Sequence, residues 1–280
     1  MFPFKRNTFY GFICMYFVKM NKIYGIPSYS KIFDLLERPE WLNGIESYSV
    51  LLVNDEERDA ETLIETARQF QYLYDAVCSG RFNLCTACKG NYSPGFLNDN
   101  ASQKEVKWIQ TQFINNAILW YNATFDILLQ SIWFYYKLYL FLKTPLSLTV
   151  NNHESILRNC SWRNVITLGL DHIPSHLMEK IGELRCFMID NITKWANHLK
   201  HRGNINYNNR QSFGYIKIDS GGENDLKSLL LNGGSVRYDS TKTNTTITIN
   251  YAIDTMIHYH QRLIDVTKVM SDEINLLRDN

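Results

Sequence analysis

The chain has 280 residues, 45% of them hydrophobic, with 29 Lys and Arg against 28 Asp and Glu for a net charge of +1. That apolar content excludes a disordered chain and is enough for one large domain or two small ones. The balanced charge excludes a global field that would draw the molecule to nucleic acid or an anionic membrane, so any polyanion must be held by a local cluster.

The opening stretch MFPFKRNTFYGFICMYFVKMNK has a basic pair before a short apolar run, but no small-residue cleavage site follows. The run from Phe9 to Val18 is too short to span a bilayer. The expectation is an upstream start codon, with Met20 as the alternative beginning. Residues 1–54 are read as an N-terminal extension containing one short strand, SYSVLLV, over 47–53. Residues 55–280 are read as one helical domain.

That domain starts at Asp55, where acidic first turns lead into apolar positions Leu63, Ile64, Ala67, Phe70, Leu73, Tyr74 and Val77, with Gly80 just beyond as a stop. Residues 78–100 hold Gly, Pro, Asn and Ser and read as a cysteine-containing loop insertion. Within it Cys85 and Cys88 have the spacing of a zinc knuckle, and Cys78 is a third candidate ligand. Structural zinc normally takes four ligands, and only the distant His153 or Cys160 could supply the fourth. Free thiols and no cofactor are therefore the expectation, with zinc at Cys78, Cys85 and Cys88 as the alternative.

From Ser102 a 3.6-residue apolar period runs through 106, 109, 113, 117, 121, 125, 128, 132, 135 and 139. Ser102 and Glu105 form a capping box, so one very long helix or two nearly continuous ones begin there. Asp126, Gln130 and Lys137 interrupt the aromatic stretch 125–143 at near-helical spacing, which argues for a buried amphipathic helix and against a membrane span. No membrane partner and a cytoplasmic location are expected.

A second long helix begins near Pro174, with a stripe of Leu177, Ile181, Leu184, Met188, Ile192, Trp195 and Leu199 and a left-handed cap at Gly203. Short strands around a Gly-rich turn form a β appendage over 210–250, and a last helix closes the chain. His258 and His260 on that helix are two apart, so they point to different faces and are no ligand pair. The fold class is thus mainly α: an antiparallel helical bundle with a small β appendage before the last helix.

One segment carries chemistry. At about 100° per residue, Asp190, Lys194, Asn197 and His201 share one polar stripe opposite Trp195, flanked at the last turn by Lys200 and Arg202. Carbonyls at a helix C-terminus favour a protonated imidazole, and a cationic His201 beside Lys and Arg suits an anion. Phosphate oxygens could be held by Arg202 and Lys194, while His201 exchanges a proton and Asn197 orients a phosphodiester. Basic residues also belong in the last turn of any helix, so the stripe could equally be a plain C-terminus. Asn115, Asn116, Asn122 and Asp126, on the polar side of the preceding helix, could face the stripe or simply solvate their own helix.

The run NHLKHRG on the second long helix, preceded by FINNAILWYNATFDILLQSIW, resembles the Asn-x-x-Lys-His-Arg variant of the HEPN superfamily, near its clostridial Cthe-type branch. The resemblance implies an HEPN-like all-α bundle and a metal-independent endoribonuclease of toxin, defence or RNA-processing systems, acting through 2′-hydroxyl attack to leave a cyclic phosphate. It implies a homodimer, RNA or a nucleotide as ligand, and a cognate antitoxin or neighbouring protein as partner. It places His201 at the catalytic histidine, Asn197 at the position of the usual arginine, and Lys200 and Arg202 in the basic flank. No arginine stands four to six residues before His201, and Lys194 is the nearest cation to substitute. A catalytically inactive nucleotide-binding or interaction module with the same fold is the alternative.

Overall fold

A computed structural model describes residues 29–41, 60–89, 92, 103–149, 151–203, 205–207, 216–217, 237–238 and 246–279. The fold is mainly helical, as the apolar periodicity requires. Helix α1 is Tyr29–Leu35, α2 Ala60–Ala87 and α3 Gln103–Tyr135; the short α4 (His153–Asn159) and α5 (Trp162–Gly169) follow. Next, α6 (Ser175–Met188) passes through a π-helical turn, Ile189–Thr193, into α7 (Lys194–Arg202), and α8 (Ile249–Asp279) ends the chain.

Helices α2 and α3 form an antiparallel hairpin. Gln110 Nε2 near the start of α3 donates to the Ala87 carbonyl at the end of α2 at 2.9 Å, and Thr62 at the start of α2 meets the Tyr139 hydroxyl, just beyond α3, at 2.7 Å. The α6–α7 segment lies antiparallel to α8, because His176 pairs with Glu273 at 2.9 Å while Trp195 packs edge-on against Tyr251. Helix α8 also lies along α3, where Tyr259 and His260 meet Tyr121. The apolar stripes of these four long segments converge on one core around Phe70, Tyr121, Trp133, Ile181 and Tyr259. Leu177, Ile181, Leu184, Met188, Ile192 and Trp195 are all buried, in line with the expected stripe, whereas Ile64 of α2 is exposed.

The loop expected from residue 78 is helix as far as Ala87. Gly80 is not a helix stop. It lies inside α2 where a Cβ would come within 2.9 Å of the buried Tyr121 ring, so it lets α2 and α3 approach closely. Burial drives this continuation, since Leu84, Cys85 and Ala87 enter the core. Helix α3 in turn stops at Tyr135. Lys137 then adopts a left-handed φ of 51°, and Leu138–Phe141 forms a 3₁₀ turn, so the helix does not reach 143.

Within residues 29–41, Ile32 and Leu36 are fully buried in the main core. The expected strand over 47–53, the helix start at 55–59 and the Ser102 cap lie outside the described residues. Among the described residues two short strand pairs lie at and before the expected appendage: β1 (Asn206–Tyr207) is parallel to β4 (Thr246–Ile247), and β2 (Ile216–Lys217) is antiparallel to β3 (Arg237–Tyr238). The first pair is anchored in the bundle, since Tyr207 is buried and its hydroxyl donates to Asn115 Oδ1 of α3 at 2.8 Å. Among the described residues no helix is long and apolar enough to cross a membrane.

Candidate functional site

Two local features shape the end of the second long helix. The π turn at Ile189–Thr193 changes the hydrogen-bond span to i→i+5, so a count of 100° per residue does not carry across it. Asp190 therefore cannot be placed on the stripe by that count. The Thr193 hydroxyl is buried at this turn without a hydrogen-bond partner among the described residues. From Lys194 onward the helix is regular α, and the phases of Lys194, Asn197 and His201 hold.

Gly203 ends the helix at φ 90° and ψ −153°. This is not the left-handed helical cap expected from sequence. It is a positive-φ extended conformation open essentially to glycine alone, and it turns the chain sharply toward β1.

The two histidines of NHLKHRG separate. His198 is buried with Trp195 and Ala196, while His201 is exposed with Lys194, Asn197 and Lys200. The backbone of Arg202 closes α7, while its side chain lies outside the described residues. The side chains of Lys194, Asn197, Lys200 and His201 make no hydrogen bond or ion pair within the described residues. Four polar groups within about two helical turns thus stand exposed to solvent, three of them nitrogen bases.

One group of the neighbouring helix faces them. Asp126 of α3 lies within electrostatic reach of Lys200. Although Asp126 is a surface residue, the crowded bundle beside it removes water from its carboxyl and raises its pKa, with Lys200 pulling the other way. The other three candidate residues diverge: Asn115 is buried on Tyr207, Asn116 is exposed and Asn122 is half-buried. Asp126 is thus tied to the basic end by its charge.

The cysteine set does not assemble. Cys78 and Cys85 sit seven residues apart on α2, about 10 Å along the axis, too far to share a metal whose bonds to sulfur are about 2.3 Å. Burial raises the pKa of Cys78 and Cys85 and pushes Cys88 up to about 12, so all three favour the neutral thiol over the thiolate a metal needs. Among the described residues no group of three or more His, Cys, Asp or Glu is placed to hold a metal ion.

Two polar clusters went unmarked in the sequence. Buried Glu65 of α2 accepts from Gln69 Nε2 at 2.6 Å, pairs with Arg68, and meets His153 Nε2 at 3.0 Å, tying α4 to the hairpin. Fully buried His260 has Nε2 at 2.8 Å from the Glu37 carbonyl and Nδ1 at 3.1 Å from the Tyr121 hydroxyl. A carbonyl only accepts, so Nε2 carries a proton, and in the neutral ring that burial favours Nδ1 accepts from the tyrosine. Desolvation lowers the His260 pKa from 6.5 to about 4. His258 is exposed, so these two histidines do point to different faces. A glutamate and a histidine 88 positions apart give no local spacing signal.

No family model, no curated protein and no solved structure matches this chain.

Proposed function

We propose that the protein is an HEPN-like, metal-independent endoribonuclease whose site is the exposed end of α7. The observation that carries this reading is that Lys194, Asn197, Lys200 and His201 share one solvent-facing helix end with no hydrogen-bond or ion-pair partner within the described protein. A plain helix terminus does not require an unpaired amide and imidazole in line with its lysines. Cationic side chains at this end can bind a phosphodiester, and the imidazole is a group able both to accept and to donate a proton.

In the proposed reaction the ribose 2′-oxygen attacks the adjacent phosphorus. The P–O2′ bond forms, the P–O5′ bond breaks, and the 2′-hydroxyl proton is removed while the leaving 5′-oxygen gains one. His201 serves as the acid/base group, Asn197 orients the phosphodiester, and Lys194, Lys200 and Arg202 stabilise the charge on phosphorus oxygens. Asp126 restrains Lys200 by opposite charge. One such helix end is sparse for a nuclease, and a homodimer that apposes two copies would double the basic groups around one strand. A cytoplasmic setting and a neighbouring antitoxin-like partner belong to the same reading.

The test is incubation of single-stranded RNA with purified protein in EDTA, alongside His201→Ala. Cleavage by the wild type and its loss in the variant, with an unchanged melting temperature, support the proposal. Equal inertness of both proteins across varied RNAs removes it. The second reading, an inactive nucleotide-binding module, is favoured by the amide at position 197 where an arginine fork would bind phosphate more firmly; it expects RNA retention without cleavage.

A further inference from the structure

A cavity of about 430 Å³ opens between α1 and α2, on elements other than α7, and is lined by Phe33, Arg38, Tyr74, Cys78, Arg81, Phe82, Cys85 and Thr86. Its size falls within the usual range for small-molecule sites. Arg81 is the unusual member, with only 7% of its surface exposed. Its Nε donates to the Leu36 carbonyl at 2.5 Å and its Nη2 to the Phe33 carbonyl at 3.3 Å, which caps the end of α1. Its guanidinium also stacks over the Phe33 ring at 4.0 Å.

Two backbone carbonyls supply partial negative charge to Arg81, and the one carboxylate named near the cavity, Glu40, pairs with Arg38 and is felt at Cys78. Among the described residues no carboxylate pairs with Arg81, and its third nitrogen, Nη1, has no hydrogen-bond partner there. Nη1 is not among the buried polar atoms without a partner, so it reaches solvent and can donate to a further hydrogen-bond acceptor. A second cation stands at the rim, where Arg38 makes only a long, exposed contact of 3.5 Å with Glu40. The walls add flat apolar surface, because Phe82 and Phe33 are 62% and 42% exposed. The remaining walls are neutral: Tyr74 hydrogen-bonds to Cys78, and burial raises the pKa of Cys78 and Cys85, which favours the neutral thiols.

We propose that this cavity binds a small aromatic anion, an aryl carboxylate or sulfonate, with its ring between Phe33 and Phe82 and its charge between Arg38 and Arg81. Rings stack on aromatic faces, and guanidinium pairs with carboxylate or sulfonate oxygens through charge-assisted hydrogen bonds. A neutral ligand of the same shape would leave the two cations unanswered and bind less well.

The probe is 8-anilinonaphthalene-1-sulfonate, titrated by fluorescence into the folded full chain, with neutral N-phenyl-1-naphthylamine as its uncharged counterpart. The expected result is one binding site, preference for the sulfonate, and affinity about tenfold weaker in Arg38→Glu. Arg38 is exposed, so this variant tests charge without touching the core. Cys78→Phe, which fills the cavity, should abolish binding; a thermal melt shows whether it still folds, and Arg38→Glu decides the matter if it does not. Equal affinity for the neutral probe, or undiminished sulfonate binding by Arg38→Glu, overturns the assignment.

Discussion

His260 joins α8 to α3 and to the segment after α1 through a neutral ring, and acid should loosen the fold at that point. In the folded chain its pKa is about 4, against 6.5 when exposed. Between those values the unfolded chain binds a proton that the folded chain refuses, so stability falls as the pH drops. The contribution is fully present above about pH 6.5 and is lost progressively toward pH 4. A gap of about 2.5 pH units at roughly 1.4 kcal/mol each makes the loss about 3 kcal/mol. Burial raises the carboxyls of Asp126 and Asp254, and these act in the opposite sense, stabilising the fold as they protonate. The assay must therefore be differential. Urea unfolding of wild type and His260→Gln from pH 7.5 to pH 4 keeps the carboxylates common to both. The wild type should lose about 3 kcal/mol more than the variant over that window, whatever the variant's own cost at neutral pH. Parallel pH profiles would refute the buried neutral imidazole.

Three further outcomes follow from packing and backbone geometry. Gly80→Ala gains helix propensity of about 1 kcal/mol but drives a Cβ into the immobile Tyr121 ring at 2.9 Å, so chemical denaturation should show a net loss of about 1 kcal/mol or more. Gly203→Ala meets no neighbouring atom within 4 Å, yet its φ of 90° is strained for any side chain; a loss of about 1–3 kcal/mol is expected by the same measurement. Tyr207→Phe removes the 2.8 Å hydrogen bond to Asn115 and should cost about 1–3 kcal/mol, with hydrogen exchange around β1 rising before that of α3.

The four long helical segments were legible because each carries a sustained apolar period, and a buried stripe such as Leu177 to Trp195 can only be satisfied by packing. What local pattern could not convey was tertiary use of a residue. Gly80 reads as a stop until Tyr121, 41 positions later, is seen to need its empty side. The cysteine stretch reads as a loop by composition, yet its apolar atoms continue a core face. The π turn leaves no mark in residue type, and it undid the placement of Asp190 while leaving Lys194, Asn197 and His201 aligned. At the candidate site, phase relative to Trp195 put His201 on the exposed face of α7, and the structure has His201 exposed while His198 is buried beside Trp195 and Ala196. The Glu65–His153 pair, His260 with Tyr121, and the Arg38–Arg81 cavity join distant segments, where spacing carries no information.

The most direct measurement of the central claim compares unmodified RNA with the same oligonucleotide carrying 2′-O-methyl groups throughout, each incubated with wild-type protein in EDTA and analysed for its ends. The unmodified strand should be cut to fragments bearing 2′,3′-cyclic phosphates while the methylated strand stays whole. Cutting of the methylated strand, or fragments ending in a 3′-hydroxyl, would contradict attack by the 2′-oxygen and with it the role given to the free imidazole of His201.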